Sequence, residues 1–180
     1  SERNFTDKRG DLLMGNTSYT AHISNKKSAI TSKSKLLGVA KHNLRKYKSD
    51  DYSKDNIIVL RGTDDLLQDV KNVYHQEFDE VIKEYNKKQK RADRKIDDYF
   101  EHVAGLEQDM AVEIIFQCGD KEFWQAHDDI KDKMYYVYSF LIGKLEELLP
   151  EFKIANAVIH FDEASPHVHV VGVPVWEGAK

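Results

Sequence analysis

The sequence predicts an α+β fold in which helices pack on a five-stranded, mostly antiparallel sheet. Three observations support this prediction. Five short segments are rich in Val, Ile and aromatic residues, as strands are. Two long segments repeat apolar residues at three- and four-residue steps, as amphipathic helices do. Only DEASP (162–166) separates the last two predicted strands, and so short a connection makes them antiparallel.

The five predicted strands are spread along the chain, with a helix after each of the first three. They are SYTAHIS (18–24), NIIVLRG (56–62), AVEIIFQC (111–118), KIANAVIHF (153–161) and HVHVVGVPV (167–175). The resulting order is strand, helix, strand, helix, strand, helix, strand, strand. This order favours helices packed on a sheet.

Three helices are predicted between these strands. The first covers LLGVAKHNLRKY (36–47), and the second is a long amphipathic helix over 66–91. The third runs from 120 to a stop before Pro150, because proline cannot continue a helix. Trp124 and the aromatic residues of MYYVYSF (134–140) follow this helical pattern and are predicted to lie in the core.

Composition indicates one soluble domain. The chain has 180 residues, of which 41% are hydrophobic, enough for a single sizeable core. Residues 1–17 lack periodicity and are predicted to be a flexible leader before a folded domain at 18–180. The only cysteine, Cys118, excludes an internal disulfide and a thiolate metal site. Without a signal peptide or a membrane-length apolar segment, a cytoplasmic location is expected.

Charge is distributed unevenly along the chain, although the net charge is −4. Residues 21–50 contain eight Lys or Arg and one acid, whereas residues 97–151 contain fourteen acids and four bases. One region is therefore expected to face nucleic-acid phosphates while the other faces water. Solvated surface charge without a ligand is the alternative.

A cluster of histidines at the end of the chain suggests a metal site. HFDEASPHVHVVGVPV (160–175) contains three of the eight histidines. Strand alternation places His167 and His169 on one face, and the short connection can bring His160 opposite them. Three converging imidazoles with open positions suit a catalytic divalent metal that polarises a phosphodiester. Asp162 or Glu163 could orient a ligand or transfer a proton, whereas hydrogen-bonded structural histidines are the alternative.

These residues resemble a known family. The segment HFDEASPHVHVVGVP is similar to the H-x-D-E-x-x-P-H-x-H-x-x-x-V-P signature of the Pre/Mob (MobV) plasmid mobilisation and recombination proteins, which are relaxases of the HUH endonuclease superfamily. It matches at every fixed position. KHNLRKY supplies His42, Asn43 and Arg45 of the family's H-N-x-R stretch, with Leu44 where the best-known members have an acid.

The resemblance implies a relaxase-like sheet and an activity. The implied reaction is metal-dependent, strand-specific nicking and rejoining of single-stranded DNA at a transfer origin, through a covalent 5′-phosphate intermediate. The implied metal is Mn²⁺ or Mg²⁺, held by His160, His167 and His169, with Glu163 as base or supporting residue. Auxiliary mobilisation proteins are candidate further partners, and no membrane contact is expected for this domain. Because relatives are longer, the chain is expected to be an excised catalytic domain.

The nucleophile is left open by the residues. Relatives in this branch use the histidine of H-N-x-R, which implies His42, and a neutral imidazole is a competent nucleophile near neutral pH. Tyrosine, the usual choice in the superfamily, needs activation because its pKa is about 10. The tyrosines nearest in sequence to the basic segment are Tyr19, Tyr47 and Tyr52.

The basic residues around His42 are predicted to bind DNA. Lysine and arginine side chains near a scissile bond position phosphates. The predicted DNA-binding residues are Lys41, Asn43, Arg45, Lys46 and Lys48. Other functions compatible with the sequence are an HUH replication initiator or transposase with a tyrosine nucleophile, a three-histidine metalloenzyme acting on a small molecule, and a non-catalytic DNA-binding module.

Overall fold

The computed structural model describes residues 18–47, 52–106 and 108–176. Its five strands are β1 Tyr19–Ile23, β2 Ile57–Arg61, β3 Val112–Cys118, β4 Phe152–His160 and β5 His167–Pro174. They form one sheet in the order β1-β3-β5-β4-β2, and each neighbouring pair is antiparallel. The α+β prediction and all five predicted strands are confirmed, whereas the predicted leader at 1–17 lies outside the described residues.

Three helices cover one face of this sheet, called the front face below. They are α1 Lys33–Asn43, α2 Leu66–Lys88 and α3 Tyr99–Ala104. The predicted first helix begins three residues earlier than expected, because the Ser32 side chain accepts a hydrogen bond from the Lys35 amide and caps the helix. Their apolar side chains form a core with sheet residues that include Val158 and Val171.

The opposite, back face carries two helices, α4 Lys121–Ala126 and α5 Met134–Leu148. A single helix over 120–149 was predicted, and this prediction is wrong: a 3-10 segment, Asp128–Lys133, separates the two. His127 explains the break. Its Nδ1 lies 2.8 Å from the Phe123 carbonyl oxygen, the atom that an uninterrupted helix would offer to the His127 amide.

Helix α5 buries one narrow stripe, packs Leu141 and Leu145 partly against the core, and exposes much of its remaining apolar surface. Met134, Tyr138 and Ile142, spaced four residues apart, are buried against the sheet together with Trp124. The core prediction therefore holds for Trp124, but it is wrong for most of MYYVYSF. Tyr136 and Phe140 are each 69% exposed. None of the described helices combines the length and the apolar character that a bilayer crossing demands.

The central strands β4 and β5 carry the histidine-rich sequence. In β5, alternation sends Val168 and Val170 into the back core, whereas His167 and His169 project from the front face. The register aligns His160 of β4 directly opposite His167. The three histidines therefore share one face at the end of the β4–β5 hairpin, next to the end of α1.

Candidate active site

His160 is fully buried and has one ring nitrogen without a hydrogen-bond partner. Its Nε2 lies 2.8 Å from the main-chain oxygen of Asn43, so this nitrogen carries the proton and donates it. Its Nδ1 therefore has a lone pair, and this buried atom has no hydrogen-bond partner among the described residues. Burial, followed by the proximity of His169, lowers the pKa of His160.

His167 and His169 have the same arrangement of one donor and one acceptor nitrogen. His167 Nδ1 donates to the Ser165 carbonyl oxygen at 2.9 Å, and His169 Nδ1 donates to Glu113 Oε1 at 2.9 Å. Their two Nε2 atoms face each other at 3.1 Å. Burial lowers the pKa of His167, although the hydrogen bond to Ser165 acts in the opposite direction. The lowered pKa disfavours a second proton on His167, so no proton lies between the two Nε2 atoms.

These nitrogens belong to two overlapping groups of side chains, each of which could hold a divalent cation. Two facing lone pairs repel each other unless a cation lies between them, and two nitrogens each about 2.1 Å from one metal at a right angle are about 3 Å apart. Potential ligand atoms of His160, Glu163 and His167 lie within 4.8 Å of one another, and so do those of His42, His160 and His169. The second nitrogen of each strand histidine is held by an oxygen, as metal-binding histidines require.

Glu163 faces the histidines from the β4–β5 connection. Its Oε1 lies 3.6 Å from His160 Nδ1 and 3.8 Å from His167 Nε2, and it accepts a 2.8 Å hydrogen bond from Arg45. Burial favours the neutral acid, but the Arg45 hydrogen bond and the nearby His167 outweigh it and lower the pKa of Glu163. The side chain is therefore a carboxylate at neutral pH, able to support a cation or accept a proton.

Arg45 connects the end of α1 to that same connection. Its guanidinium donates to both carboxylate oxygens of Asp162, at 2.9 and 2.6 Å, as well as to Glu163. It also donates to the His42 carbonyl at 3.2 Å, and the Tyr52 ring covers it at 4.5 Å. Arg45 therefore fixes the carboxylates relative to the residue predicted to be the nucleophile.

The backbone at the end of α1 places Arg45 by a Schellman motif. The Lys46 amide donates to the Lys41 carbonyl, and the Arg45 amide donates to the His42 carbonyl. Arg45 has φ of +48°, a left-handed conformation in which glycine is the usual residue. An arginine in this conformation costs about 1–2 kcal/mol relative to a right-handed one. The local strain is offset by the buried contacts of the side chain.

Asn43 and Glu113 form a second link between α1 and the histidines. The Asn43 side-chain nitrogen donates to Glu113 Oε1 at 2.8 Å, the oxygen that also accepts from His169. Burial alone would raise the pKa of Glu113, but the hydrogen bonds from His169 and Asn43 lower it. Asn43 thus contacts His160 through its carbonyl and orients His169 through Glu113.

His42 lies at the exposed edge of the cluster. Its ring centroid is 5.4 Å from that of His160 and 5.1 Å from that of His169. Burial, then the proximity of His169 and Arg45, lowers the pKa of His42, which favours the neutral ring with one free lone pair. The structure thus brings His42 next to the strand histidines while leaving it accessible to a ligand.

The residues predicted to bind DNA divide into two groups. Lys41 and Lys46 are exposed beside His42, whereas Asn43 and Arg45 are buried, 1% and 3% exposed, and hold other site residues. Lys48 lies outside the described residues. Direct contact with DNA therefore stays a prediction for Lys41 and Lys46, and the buried pair is better suited to support the site.

The three tyrosines considered as nucleophiles occupy different places. Tyr19 is paired with Cys118, whose side chain packs on the back core, so Tyr19 projects from the face opposite the histidines. Tyr52 covers Arg45, and the Tyr47 hydroxyl accepts a 3.4 Å hydrogen bond from Arg45. His42 is the candidate whose side chain adjoins the histidine cluster directly.

Glu113 is the site residue that sequence reasoning missed. It lies in β3, far from the histidine segment in sequence, and only pairing of β3 with β5 brings it beside His169. A weak signal was present, because Glu113 is the single charged residue in the strand VEIIFQC. An acid within a mostly apolar inner strand indicates a specific partner.

The fold and the site define an antiparallel α+β protein with a histidine cluster on two central strands. A family model of plasmid recombination enzymes (Mob_Pre) matches residues 22–180. The chain belongs to this family, which confirms the resemblance drawn from its motifs. It is 27% identical over 143 residues to plasmid recombination enzyme type 2 of Staphylococcus aureus strains Mu50 and N315, covering 79% of this chain. The chain spans 30% of the length of these relatives.

Solved structures share the fold. The MobM relaxase domain (MOBV; Mob_Pre) bound to plasmid pMV158 oriT DNA of 22 nucleotides, in a Mn-bound crystal structure at pH 5.5, matches with a TM-score of 0.54. A second Mn-bound structure of that domain, at pH 6.8 with a 3′-thiophosphate, matches with a TM-score of 0.51. Each is 24% identical and covers 90% of this chain and 72% of that chain.

Proposed function

We propose that this chain is the catalytic domain of a DNA relaxase, which nicks and rejoins one strand at the transfer origin of a plasmid or mobile element. Membership of the plasmid recombination enzyme family supports this proposal. The observation that carries it is the cluster formed by the rings of His160, His167 and His169, whose centroids lie 4.5, 4.9 and 5.1 Å apart, beside the exposed ring of His42. The MobM neighbours, which are bound to oriT DNA, agree with origin DNA as the substrate.

His160, His167 and His169 would hold a divalent metal, Mn²⁺ or Mg²⁺, with Glu163 beside them. When bound, such an ion polarises the scissile phosphodiester and offsets the negative charge that develops on it. The protein contributes a rigid arrangement: each histidine is fixed through its second nitrogen by Asn43, Ser165 or Glu113. Such outer contacts set the orientation and basicity of metal-binding imidazoles.

His42 is the proposed nucleophile. A ring nitrogen of His42 forms a bond to phosphorus as the bond from phosphorus to the 3′ oxygen breaks. The other ring nitrogen of His42 loses its proton to solvent, and the 3′ oxygen takes up a proton from solvent and leaves as a 3′ hydroxyl. The 5′ phosphate stays on the protein, so the reverse attack by a 3′ hydroxyl can rejoin a strand. Arg45 fixes the His42 carbonyl and thereby the end of the helix that carries the ring.

Lys41 and Lys46 are proposed to bind phosphates beside the scissile bond. Both are exposed and flank the nucleophile at the end of α1. Contacts of this kind position a strand without reading its sequence. A cytoplasmic location follows from the proposed plasmid substrate, and auxiliary mobilisation proteins remain a prediction.

The test is incubation of the chain with a 5′- or 3′-labelled single strand that carries the origin of its own element, with Mn²⁺ or with EDTA. Mn²⁺-dependent nicking with a covalent protein–DNA adduct is expected. His42→Ala should abolish the adduct but retain Mn²⁺ binding by calorimetry, whereas His167→Ala should weaken Mn²⁺ binding. Tyr47→Phe is the matched control and should still form the adduct. Full nicking by His42→Ala would exclude the proposed nucleophile.

A further inference from the structure

Pro166 interrupts the hydrogen-bond ladder between β3 and β5 directly before His167. The two strands are paired as far as Gln117 and His167, so Cys118 and Pro166 come next in the same register. The Glu113 carbonyl accepts from the residue that follows β1. Main-chain groups alternate in direction along a strand, so those of Cys118, five residues further on, point toward β5. Because proline has no amide hydrogen, the ladder cannot pair the Cys118 carbonyl here.

Two aromatic side chains from the back face bond these main-chain groups instead. Trp124 Nε1 donates to the Cys118 carbonyl oxygen at 2.7 Å, in place of the amide hydrogen that Pro166 lacks. The Tyr138 hydroxyl accepts from the Cys118 amide at 3.2 Å and donates to the Pro166 carbonyl oxygen at 2.8 Å. A direct ladder bond would hold these two groups about 2.9 Å apart. The inserted hydroxyl therefore sets a wider spacing between β3 and β5 at the end that carries His167.

Both aromatic side chains are fixed in the back core. Trp124 is 3% exposed and Tyr138 is 2% exposed, and both belong to the same packed cluster as Val168 of β5. Pro166 is buried as well. Buried main-chain groups need a hydrogen-bond partner, so the two side chains are part of the sheet at this end rather than mere apolar filling.

The main chain at Pro166 leads directly to the candidate metal site. His167 follows it, and the direction of the His167 ring is set by the bond from Nδ1 to the Ser165 carbonyl oxygen at 2.9 Å. The position of residues 165–167 relative to β3 therefore determines where His167 Nε2 points.

A third back-face contact holds the same connection nearer to Glu163. Lys131, in the 3-10 segment between α4 and α5, donates from Nζ to the Glu163 carbonyl oxygen at 3.2 Å. Arg45 binds the Glu163 carboxylate from the other side at 2.8 Å. The β4–β5 connection is therefore held from both faces of the sheet.

We propose that Trp124, Lys131 and Tyr138, called the back-face bracket below, are positioning residues of the candidate metal site. They act through main-chain atoms of the β4–β5 connection and direct His167 and Glu163 toward the ion. This inference rests on the proposed function, which assigns the ion to these residues.

The test compares Tyr138→Phe with Tyr74→Phe. Each change removes one buried hydroxyl that donates to a main-chain carbonyl and keeps the ring, but Tyr74 bonds Met110 in the front core. Mn²⁺ titration by calorimetry should give a Kd about 3- to 10-fold higher for Tyr138→Phe, and the wild-type Kd for Tyr74→Phe. A wild-type Kd in folded Tyr138→Phe would overturn the proposal.

Imidazole NMR signals give a second measurement that needs no metal. In ¹H–¹⁵N spectra at pH 7, the Nδ1–H signal of His167 should shift in Tyr138→Phe and stay unchanged in Tyr74→Phe. General destabilisation would affect both variants alike, because each loses a hydroxyl bond of the same kind. An unshifted His167 signal in Tyr138→Phe would contradict the role of the hydroxyl.

Lys131→Met is a second variant that leaves the back core intact. Its control is Lys133→Met, a change at a side chain that is 66% exposed in the same 3-10 segment. Lys131→Met should raise the Mn²⁺ Kd about 2- to 10-fold, and Lys133→Met should not. Equal Kd values for the two variants would exclude Lys131 from the bracket, and would overturn the whole proposal if Tyr138→Phe did not fold.

These measurements use no DNA, so the inference and the proposed function fail separately. If the wild-type chain nicks origin DNA and Tyr138→Phe binds Mn²⁺ as tightly as the wild-type chain, the back-face bracket is wrong and the relaxase function stands. If Tyr138→Phe binds Mn²⁺ more weakly but the wild-type chain never nicks origin DNA, the bracket stands and the relaxase function is wrong.

Discussion

Arg45 and Asp162 form a buried ion pair with two hydrogen bonds, of 2.9 and 2.6 Å, between the end of α1 and the β4–β5 connection. Their side chains are 0% and 2% exposed. The pair joins the segment that carries His42 to the segment that carries Glu163. Since the two segments are more than a hundred residues apart in sequence, the geometry of the site depends on this contact.

Removal of Arg45 should destabilise the fold strongly. Arg45→Ala leaves the buried Asp162 carboxylate without its partner, which typically costs about 3–5 kcal/mol. The matched control is Arg61→Ala. It breaks an ion pair in which Arg61 donates two hydrogen bonds to Glu146, and the side chains of Arg61 and Glu146 are 43% and 40% exposed. Solvent screening limits that loss to about 1 kcal/mol or less. Urea unfolding at pH 7 measures both, and equal losses would contradict the role assigned to Arg45.

Glycine should be tolerated better than alanine at position 45. The backbone there has φ of +48°, which glycine adopts freely and alanine does not. Arg45→Gly and Arg45→Ala lose the same side-chain hydrogen bonds. The difference between their free energies of unfolding therefore measures the cost of the left-handed backbone for a residue with a Cβ atom. We expect Arg45→Gly to be more stable than Arg45→Ala by about 1 kcal/mol. Urea unfolding of the two variants side by side tests this, and a more stable alanine variant would show that the left-handed conformation is not retained.

Glu113→Gln should weaken metal binding without unfolding the chain. Glu113 Oε1 accepts from both His169 and Asn43, and the neutral amide is a weaker acceptor for the imidazole. Loss of such an outer contact typically lowers metal affinity about 10- to 100-fold. Mn²⁺ titration by calorimetry measures this effect, with the exposed Glu122→Gln as control. Unchanged affinity in Glu113→Gln would mean that His169 needs no fixed orientation to bind the ion.

The strands and the convergence of the histidines were predictable because they depend on local pattern. Alternation in HVHVVGVPV sets the face of His167 and His169, and the short connection aligns His160 opposite them. The first two helices were also predictable, within a few residues at their ends. The N-cap at Ser32 sets where α1 begins, and the Schellman motif at Arg45 sets where it ends.

What could not be predicted depends on contacts between distant segments. Arg45 was expected on the surface with DNA, since an arginine in a basic run gives no sign of a buried partner at Asp162. Glu113 became a site residue only through the pairing of β3 with β5. The break at His127 arises because its side chain bonds the Phe123 carbonyl, which a continuous helix would pair with the His127 amide. The apolar spacing on both sides of His127 gives no sign of this contact. In each case a specific polar contact overrides the hydrophobic pattern.

The stability of the fold should fall at alkaline pH through Tyr74. This residue is 4% exposed in the front core, and its hydroxyl donates to the Met110 carbonyl at 2.9 Å. Burial, with a smaller effect of Tyr99, raises the pKa of Tyr74 to about 12, whereas a tyrosine in the unfolded chain titrates near 10. As pH rises, the unfolded chain loses this proton before the folded chain does. The contribution of Tyr74 to the free energy of unfolding is therefore fully present below about pH 10 and is lost as pH rises toward 12.

Urea unfolding between pH 8 and pH 11.5 measures this dependence. Two pKa units correspond to about 2–3 kcal/mol, so the wild-type chain should lose up to that amount through Tyr74. Tyr74→Phe cannot ionise, so its advantage over the wild-type chain should grow with pH even if it is less stable at pH 8. Burial also raises the pKa of Tyr138. The free energy of unfolding of Tyr74→Phe should therefore still decrease with pH, but less steeply than that of the wild-type chain. Tyr85→Phe, a change at a 41% exposed position on the same helix, should keep the wild-type profile. A Tyr74→Phe profile parallel to that of the wild-type chain would show that Tyr74 ionises equally in both states.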